Sequence, residues 1–205
     1  MQTNSAAKIH SATHGETRRR DTLDVSLLES VVSGDETALR VLFTRHNVRI
    51  YRFVLRLTGD KSIAEDTVSE VFLEVWRHAA RFAMKSQVST WLLAIARNKA
   101  LATLRRRSES QLDYEDFLLT IEDPADNPEQ FLDRQNRSRA LQFCLKQLSP
   151  AHREVIDLVY YHEKSVAEVA EIVGIPASTV KTRMHYARSR MATLLKQAGI
   201  DCERA

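Results

Sequence analysis

Apolar residues fall three and four positions apart along most of the chain, the spacing that lines one face of a helix. Leu39, Leu42, Phe43, Ile50, Phe53, Val54 and Leu57 form a first stripe. Asp35 stands where it can cap that helix, and Gly34 where it can end a shorter one. After the turn Thr58-Gly59-Asp60 comes a second stripe: Ala64, Val68, Val71, Phe72, Val75, Trp76 and Ala79. A third helix is expected near Ser89 or Thr90, either able to cap it, and carries Trp91, Leu92, Ile95, Ala96, Ala100 and Leu104 into a basic cluster. Helices of this length joined by short turns pack as a bundle.

The C-terminal pattern keeps the same helical spacing and is sharper in its punctuation. Ser149-Pro150 opens a helix with apolar positions Val155, Ile156, Val159 and Tyr160. Ser165 precedes Glu168 by three residues, the reciprocal arrangement of a capping box, and Val166, Val169, Ala170 and Val173 make the next apolar face. Gly174 supplies the left-handed position for a sharp turn, which Ile175 can plug. A last helix starts near Pro176–Ser178, with Val180, Met184, Ala187, Met191 and Leu194 inward. A short capped helix, a glycine turn and a longer basic helix form a helix-turn-helix, which lays one helix in a DNA major groove. An ordinary helical hairpin with a wet basic face is the plainer alternative.

Composition agrees with an all-α chain: 205 residues hold only five glycines and four prolines, too few for the many turns of a β-sandwich or barrel. No apolar run exceeds the six residues Trp91–Ala96, far below the ~20 of a membrane helix. No stable membrane insertion is therefore expected. Two cysteines, Cys144 and Cys202, make no disulfide framework and fit a cytoplasmic protein.

Charge divides the chain. Between Arg97 and Arg107 stand five bases and no acid, between Ser108 and Asp133 nine acids and no base, and between Ile172 and Ile200 five bases and no acid. The acidic block contains Pro124 and Pro128 and reads as a linker, with a solvated acidic helix as the alternative. The expected organisation is a tail at 1–22, a helical domain at 23–108, an acidic linker at 109–135, a helix-turn-helix domain at 136–197 and a tail at 198–205.

Three surfaces exceed what a core requires. Glu65, Asp66, Ser69, Glu70 and Leu73 share a face opposite the apolar stripe of the second helix. Phe82 and Trp91 precede Arg97, Asn98, Lys99 and the Arg105–Arg107 triplet, and stacking platforms beside cations suit single-stranded nucleic acid. Ser178, Thr179, Lys181, Thr182, Arg183, His185, Tyr186 and Arg188 occupy the polar faces of the last helix, where Lys and Arg can hold phosphates or read guanine. A solvated acidic face, a core tryptophan and a basic helix end are the plainer readings of the first two.

Three runs carry a family resemblance. Ala64-Glu65-Asp66-Thr67-Val68-Ser69-Glu70-Val71-Phe72 resembles the core-polymerase-binding helix of sigma-70 family sigma factors, and Ser89-Thr90-Trp91-Leu92-Leu93-Ala94-Ile95-Ala96-Arg97-Asn98 the promoter-melting helix. Leu148-Ser149-Pro150-Ala151-His152-Arg153-Glu154-Val155, with Val169–Pro176 and Thr179-Val180-Lys181-Thr182-Arg183, resembles the second DNA-binding domain. Two domains with only an acidic linker between them are similar to the extracytoplasmic-function (ECF) group, and the likeness spans residues 23–197.

The resemblance implies two helical domains, sigma-2-like and sigma-4-like, and an initiation factor with no catalytic residue, metal or cofactor of its own. It implies docking on core RNA polymerase through Glu65, Asp66, Ser69, Glu70 and Leu73. It implies capture of the melted minus-ten element by Phe82, Lys85, Ser86, Trp91, Arg97, Asn98, Lys99, Arg105 and Arg106, with Arg107 beside them. The helix from Ser178 to Arg190 would read the minus-thirty-five duplex, the linker would thread towards the RNA-exit path, and an anti-sigma partner usually masks both domains in this group. The sequence departs from the family pattern at Thr67 and Ser69 (usually Leu and Gln), at Ala102 (Asp), and at Ser178 and Tyr186 (Gly and Arg).

Two other functions stay open at this point. An ordinary helix-turn-helix regulator with a sensing or dimerising bundle explains the C-terminal block equally well, but not the acidic face or the aromatic-basic cluster. A metal-carboxylate oxidase needs Glu-x-x-His pairs, and none occurs. The seven histidines, being scattered, are expected at the surface or at helix ends rather than as ligands.

Overall fold

Two aspartates set where the long N-terminal helices begin. Asp35 accepts from the amides of Thr37 (2.8 Å) and Ala38 (3.2 Å), and Asp60 from that of Ile63 (3.0 Å). The structure, a computed structural model, describes residues 21–84, 86–110, 141 and 143–197. Its elements are α1 (21–32), α2 (Glu36–Thr58), α3 (Lys61–His78) running into a 3-10 turn (Ala79–Arg81), and α4 (Val88–Ser110). After them come α5 (143–146), α6 (Pro150–Tyr160), α7 (Val166–Val173) and α8 (Ala177–Gln197). No strand occurs among the described residues. The expected N-terminal tail lies outside them except for residues 21 and 22, which are helical. The expected C-terminal tail, with Cys202, and all of the expected acidic linker but residues 109 and 110 also lie outside.

The helical stripes bury largely as the periodicity requires, with Leu42, Ile50, Phe53 and Val54 of α2 facing Ala64, Val71 and Val75 of α3 and Leu92, Ala96 and Ala100 of α4 in one core. Two members leave the stripe. Phe43 is 39% exposed and Trp76 38%. Phe43 sits at the core's edge with its ring 4.9 Å from that of Phe72. Tyr160, expected inward on α6, is exposed, whereas Leu158 on another face of the helix is fully buried.

Helix α4 begins one residue earlier than expected and is not capped by Ser89 or Thr90. Asp21 of α1 accepts from the Val88 amide at 2.9 Å, so a distant carboxylate does the capping. Thr90 lies inside the first turn, completely buried. Helix α1 is itself pinned by a buried group, since Asp24 accepts from His46 Nε2 and Arg45 Nη1, both at 2.8 Å. Burial pushes the Asp24 carboxyl up, but the His46 and Arg45 hydrogen bonds outweigh it and hold it below its ordinary value. His46, in the middle of α2, is therefore buried rather than at the surface or a helix end as expected, while His162 does follow a helix end, that of α6, but is buried against Arg56 of α2.

In the C-terminal half the capping box closes as its spacing requires. The Ser165 amide donates to Glu168 Oε2 (2.9 Å), and the Glu168 amide to Ser165 Oγ (3.3 Å). Gly174 ends α7 at φ +72°, a conformation favouring glycine. Ser149 precedes α6 with Pro150 in its first turn, but its hydroxyl makes no cap bond. Cys144 is buried as expected.

The two halves are in contact. Helix α4 packs against α7, α2 touches α6, and one apolar core runs from Leu28 through α2–α4 to Val155, Leu158, Val169, Ile172 and Val180. A separate small cluster joins Leu148, Ile156 and Ala187. Among the described residues, no helix is long and apolar enough to cross a membrane.

Candidate nucleic-acid interface

Because one side of α3 is committed to the core, its polar positions must face outward. Glu65, Asp66, Ser69, Glu70 and Leu73 are all exposed on one face. Lys99, expected at DNA, reaches across from α4 to this acidic surface instead, with Nζ 3.7 Å from Glu70 and 3.6 Å from Glu74. Pairs this long between half-exposed groups are weakly held.

At the start of α4 the Phe82 and Trp91 rings lie 5.3 Å apart, inclined at 51°, and make a partly exposed aromatic ledge. Ser86 is half-buried beside it, and Lys85 lies outside the described residues. Further along, Asn98, Arg105 and Arg106 are exposed. Arg107 turns back to Asp60 (2.5 Å), tying the end of α4 to the cap of α3. Arg97 is also committed: its Nε and Nη2 donate to Glu154 Oε1 (2.5 Å) and Oε2 (3.2 Å) on α6.

On α8 the inward apolar face leaves Ser178, Lys181, Thr182, His185, Tyr186 and Arg188 exposed, with Thr179 and Arg183 half-buried. The Thr182 hydroxyl donates to the Ser178 carbonyl (3.0 Å). Arg188 folds back onto α6, donating to the Tyr160 hydroxyl at 2.9 Å with its guanidinium 5.7 Å from the ring centre. Tyr186 stands among imidazoles, 5.7 Å from His185 and 6.5 Å from His152. A cationic rim around an exposed aromatic ring can meet phosphates and base edges together.

Helical periodicity gave no warning of the polar groups between the halves. Lys164, buried beneath α4, has four acceptors around its ammonium: Gln87 Oε1 (3.1 Å), Ser89 Oγ (2.7 Å), Thr90 Oγ1 (2.9 Å) and Glu168 Oε1 (3.0 Å). The Thr90 hydroxyl donates to Glu168 Oε1 at 2.7 Å. Burial raises the Glu168 carboxyl, but Thr90, Lys164 and Ser165 overcome it and hold it at about 2. Nearby, Arg56 pairs with Asp157, donates to His162 Nε2 (2.9 Å) and lies 4.7 Å over the Tyr161 ring. Burial pushes the His162 imidazole below its ordinary value although Asp157 pulls the other way, which suits a ring nitrogen that accepts. Among the described residues, no group of histidines, cysteines and carboxylates could hold a metal ion.

Comparison with known proteins is decisive for the family. The model of Sigma-70 region 2 matches residues 42–110, and that of Sigma-70, region 4, residues 144–192. The ECF RNA polymerase sigma factor SigL of Mycobacterium tuberculosis is 32% identical over 178 residues, covering 84% of this chain and 97% of SigL. The chain is an ECF sigma factor.

As such it is a transcription initiation factor, acting with RNA polymerase at promoter DNA. The regulator alternative leaves the region 2 match without explanation. The sigma factor is also similar to SigK of Mycobacterium bovis, 29% identical over 79% of this chain and 88% of SigK. Among solved structures it resembles the sigma factor RpoE of Bartonella quintana, in complex with the anti-sigma factor NepR: TM-score 0.57, 30% identity, 77% of this chain and 96% of RpoE. Region 2 carries the acidic face and the aromatic ledge of this sigma factor, and region 4 carries α6–α8.

Proposed function

We propose that this sigma factor docks on core polymerase through the outer face of α3, melts the minus-ten element with α4 and its preceding loop, and holds the minus-thirty-five element with α8. Glu65, Asp66 and Glu70 supply charge for the polymerase clamp, and Leu73 supplies apolar contact. Phe82 and Trp91 stack bases of the opened strand, offsetting the few kcal/mol that unstacking costs. Asn98 is placed for a base edge, and Arg105 and Arg106 for phosphates. Lys181 and Arg183 hold or read the duplex, with Ser178 and Tyr186 shifting promoter preference away from the common pattern. The organisation is a sigma-2-like domain at 23–108, an acidic linker at 109–135 and a sigma-4-like domain at 136–197. The chain works in the cytoplasm without catalytic chemistry or cofactor, and an anti-sigma protein, as RpoE has in NepR, restrains it.

The carrying observation is that the acidic face of α3, Asn98, Arg105 and Arg106 of α4, and Ser178, Lys181, Thr182, His185 and Tyr186 of α8 are all exposed. Run-off transcription from the promoter of its own operon, with sigma-free core enzyme, is the test. Specific transcripts dependent on this chain are expected, and their absence refutes the reading. Asp66→Arg with Glu70→Arg is expected to abolish co-purification with core enzyme at unchanged helix content; an intact pull-down removes the docking face. Lys181→Ala with Arg183→Ala is expected to lower the slope of log affinity against log salt by about 1.8, at about 0.9 per phosphate lost. An unchanged slope removes both residues from the phosphate contacts.

A further inference from the structure

We infer that Met84 is a wedge: as the minus-ten element opens, its side chain enters the base stack in place of a base that has left it. This rests on the reading above, in which α4 and the loop before it open the strands, and adds a residue to that loop. Met84 is 61% exposed, more than any other large apolar side chain among the described residues. Its backbone sits at φ +52°, a left-handed conformation that bulky residues seldom adopt and that glycine would take without strain. Neither burial nor backbone preference accounts for a methionine here, and strain of this kind persists where the surroundings hold a residue for use.

The loop presents this side chain from two fixed ends. At its start the Phe82 amide donates to the Ala79 carbonyl (3.0 Å), and the Phe82 ring lies against Trp91. At its far end the Gln87 carbonyl accepts from the amides of Thr90 (3.0 Å) and Trp91 (3.1 Å), and Asp21 holds the Val88 amide. Only residues 83–86 lie between, so Met84 cannot be drawn far from the ledge. Two residues span at most about 7 Å, the rise of two base steps at about 3.4 Å each, which sets wedge and ledge to work on neighbouring steps. The electrostatic setting selects nucleic acid rather than protein. From Arg77 to Arg107 eight bases and no acid occur, and Arg77 and Arg81 stand exposed ahead of the loop. An apolar tip in a cationic frame matches a duplex, apolar between its bases and anionic outside. A base drawn out onto Phe82 and Trp91 leaves a gap whose faces have lost their stacking partner. Unbranched and carrying a polarisable sulfur, methionine conforms to such an irregular gap and slows the return of the base.

The experiment uses the full-length chain with core polymerase on the promoter of its own operon, opening being followed by a fluorescent adenine analogue in the non-template strand of the minus-ten element. Met84→Ala is expected to slow opening about tenfold, the loss of one stacked contact, and by less than about twofold when that element is mismatched and so already open. Met84→Leu, apolar and of similar volume, is expected to stay within about twofold of the unmutated chain. Met84→Gly relieves the backbone and deletes the side chain, and is expected to be as slow as Met84→Ala. Full-speed opening by Met84→Ala, rescue by Met84→Gly, or a loss by Met84→Leu as large as that of Met84→Ala overturns the wedge. So does an equal loss on the mismatched promoter, which makes Met84 a contact to the single strand alone. Loss of co-purification with core enzyme by Met84→Ala overturns it too, by making the residue a protein contact. An unmutated chain that opens no promoter refutes the proposed function as well, an outcome separate from all of these.

Discussion

Thr90→Val isolates the docking of the two halves in one oxygen atom. The residue is fully buried, and valine keeps its branched shape while deleting a hydroxyl that donates to Glu168 (2.7 Å) and accepts from Lys164 (2.9 Å). A hydrogen bond to a charged group contributes about 1.5–3 kcal/mol. Lys164 keeps its contacts to Gln87, Ser89 and Glu168, and Glu168 keeps those to Ser165, so the two losses do not add in full. A cost of about 2–3 kcal/mol follows, or a Tm lower by roughly 5–10 °C at 2–4 °C per kcal/mol for a chain of this size. Thermal unfolding followed by far-ultraviolet circular dichroism at pH 7 reads it. The stringent form is a double-mutant cycle with Glu168→Ala, because the two residues lie on opposite halves and couple only where both halves are docked. A coupling of about 1–2 kcal/mol is expected. The acid arm has a definite sign. Glu168 is held at about 2 against an ordinary 4.5, so its stabilisation is complete above about pH 4.5 and is lost as pH falls towards 2. The deficit of Thr90→Val should shrink over that window. A coupling below about 0.5 kcal/mol, or a deficit that does not change with pH, refutes the docked arrangement in solution.

Other perturbations test the fold around the site. Asp24→Asn removes the buried carboxylate that receives His46 and Arg45. Most of the expected loss of about 3 kcal/mol comes from His46, since Arg45 is 39% exposed and screened. The Asp24 carboxyl is held below 3.8, so this contribution is present above pH 3.8 and disappears as pH falls further, which urea titrations at pH 7 and pH 3 compare. Gly174→Ala meets no atom within 4 Å of its new Cβ but must adopt φ +72°, costing about 1–2 kcal/mol by thermal unfolding, and Gly174→Asn should cost less.

Most helices were legible because their signals are local. Asp35 and Gly34 sit side by side in the chain, Ser165 and Glu168 lie one turn apart, and Gly174 needs no neighbour to favour its turn. The stripes of α2, α3 and α8 were legible for the same reason, although periodicity alone placed Phe43 and Trp76 inside. Contacts between the halves were not. Glu154 and Asp157 are ordinary polar residues of α6 and Lys164 one of the connection to α7, and only the packing of the C-terminal half on α2 and α4 puts them against Arg97, Arg56 and Thr90. Glu168 was legible as a cap, but its second duty towards Thr90 was not. Cation function suffered similarly: Arg97, Lys99, Arg107 and Arg188 have basic neighbours in sequence and acidic or aromatic partners in space.

The carboxylate of Asp21 answers the Val88 amide across 67 residues, and burial raises its pKa. A chain that lacks residue 21, or a fusion that forces residues 21–24 out of line, would fray the leading turn of α4 without touching that helix itself. The first turn of α1 thus has leverage over the first turn of α4.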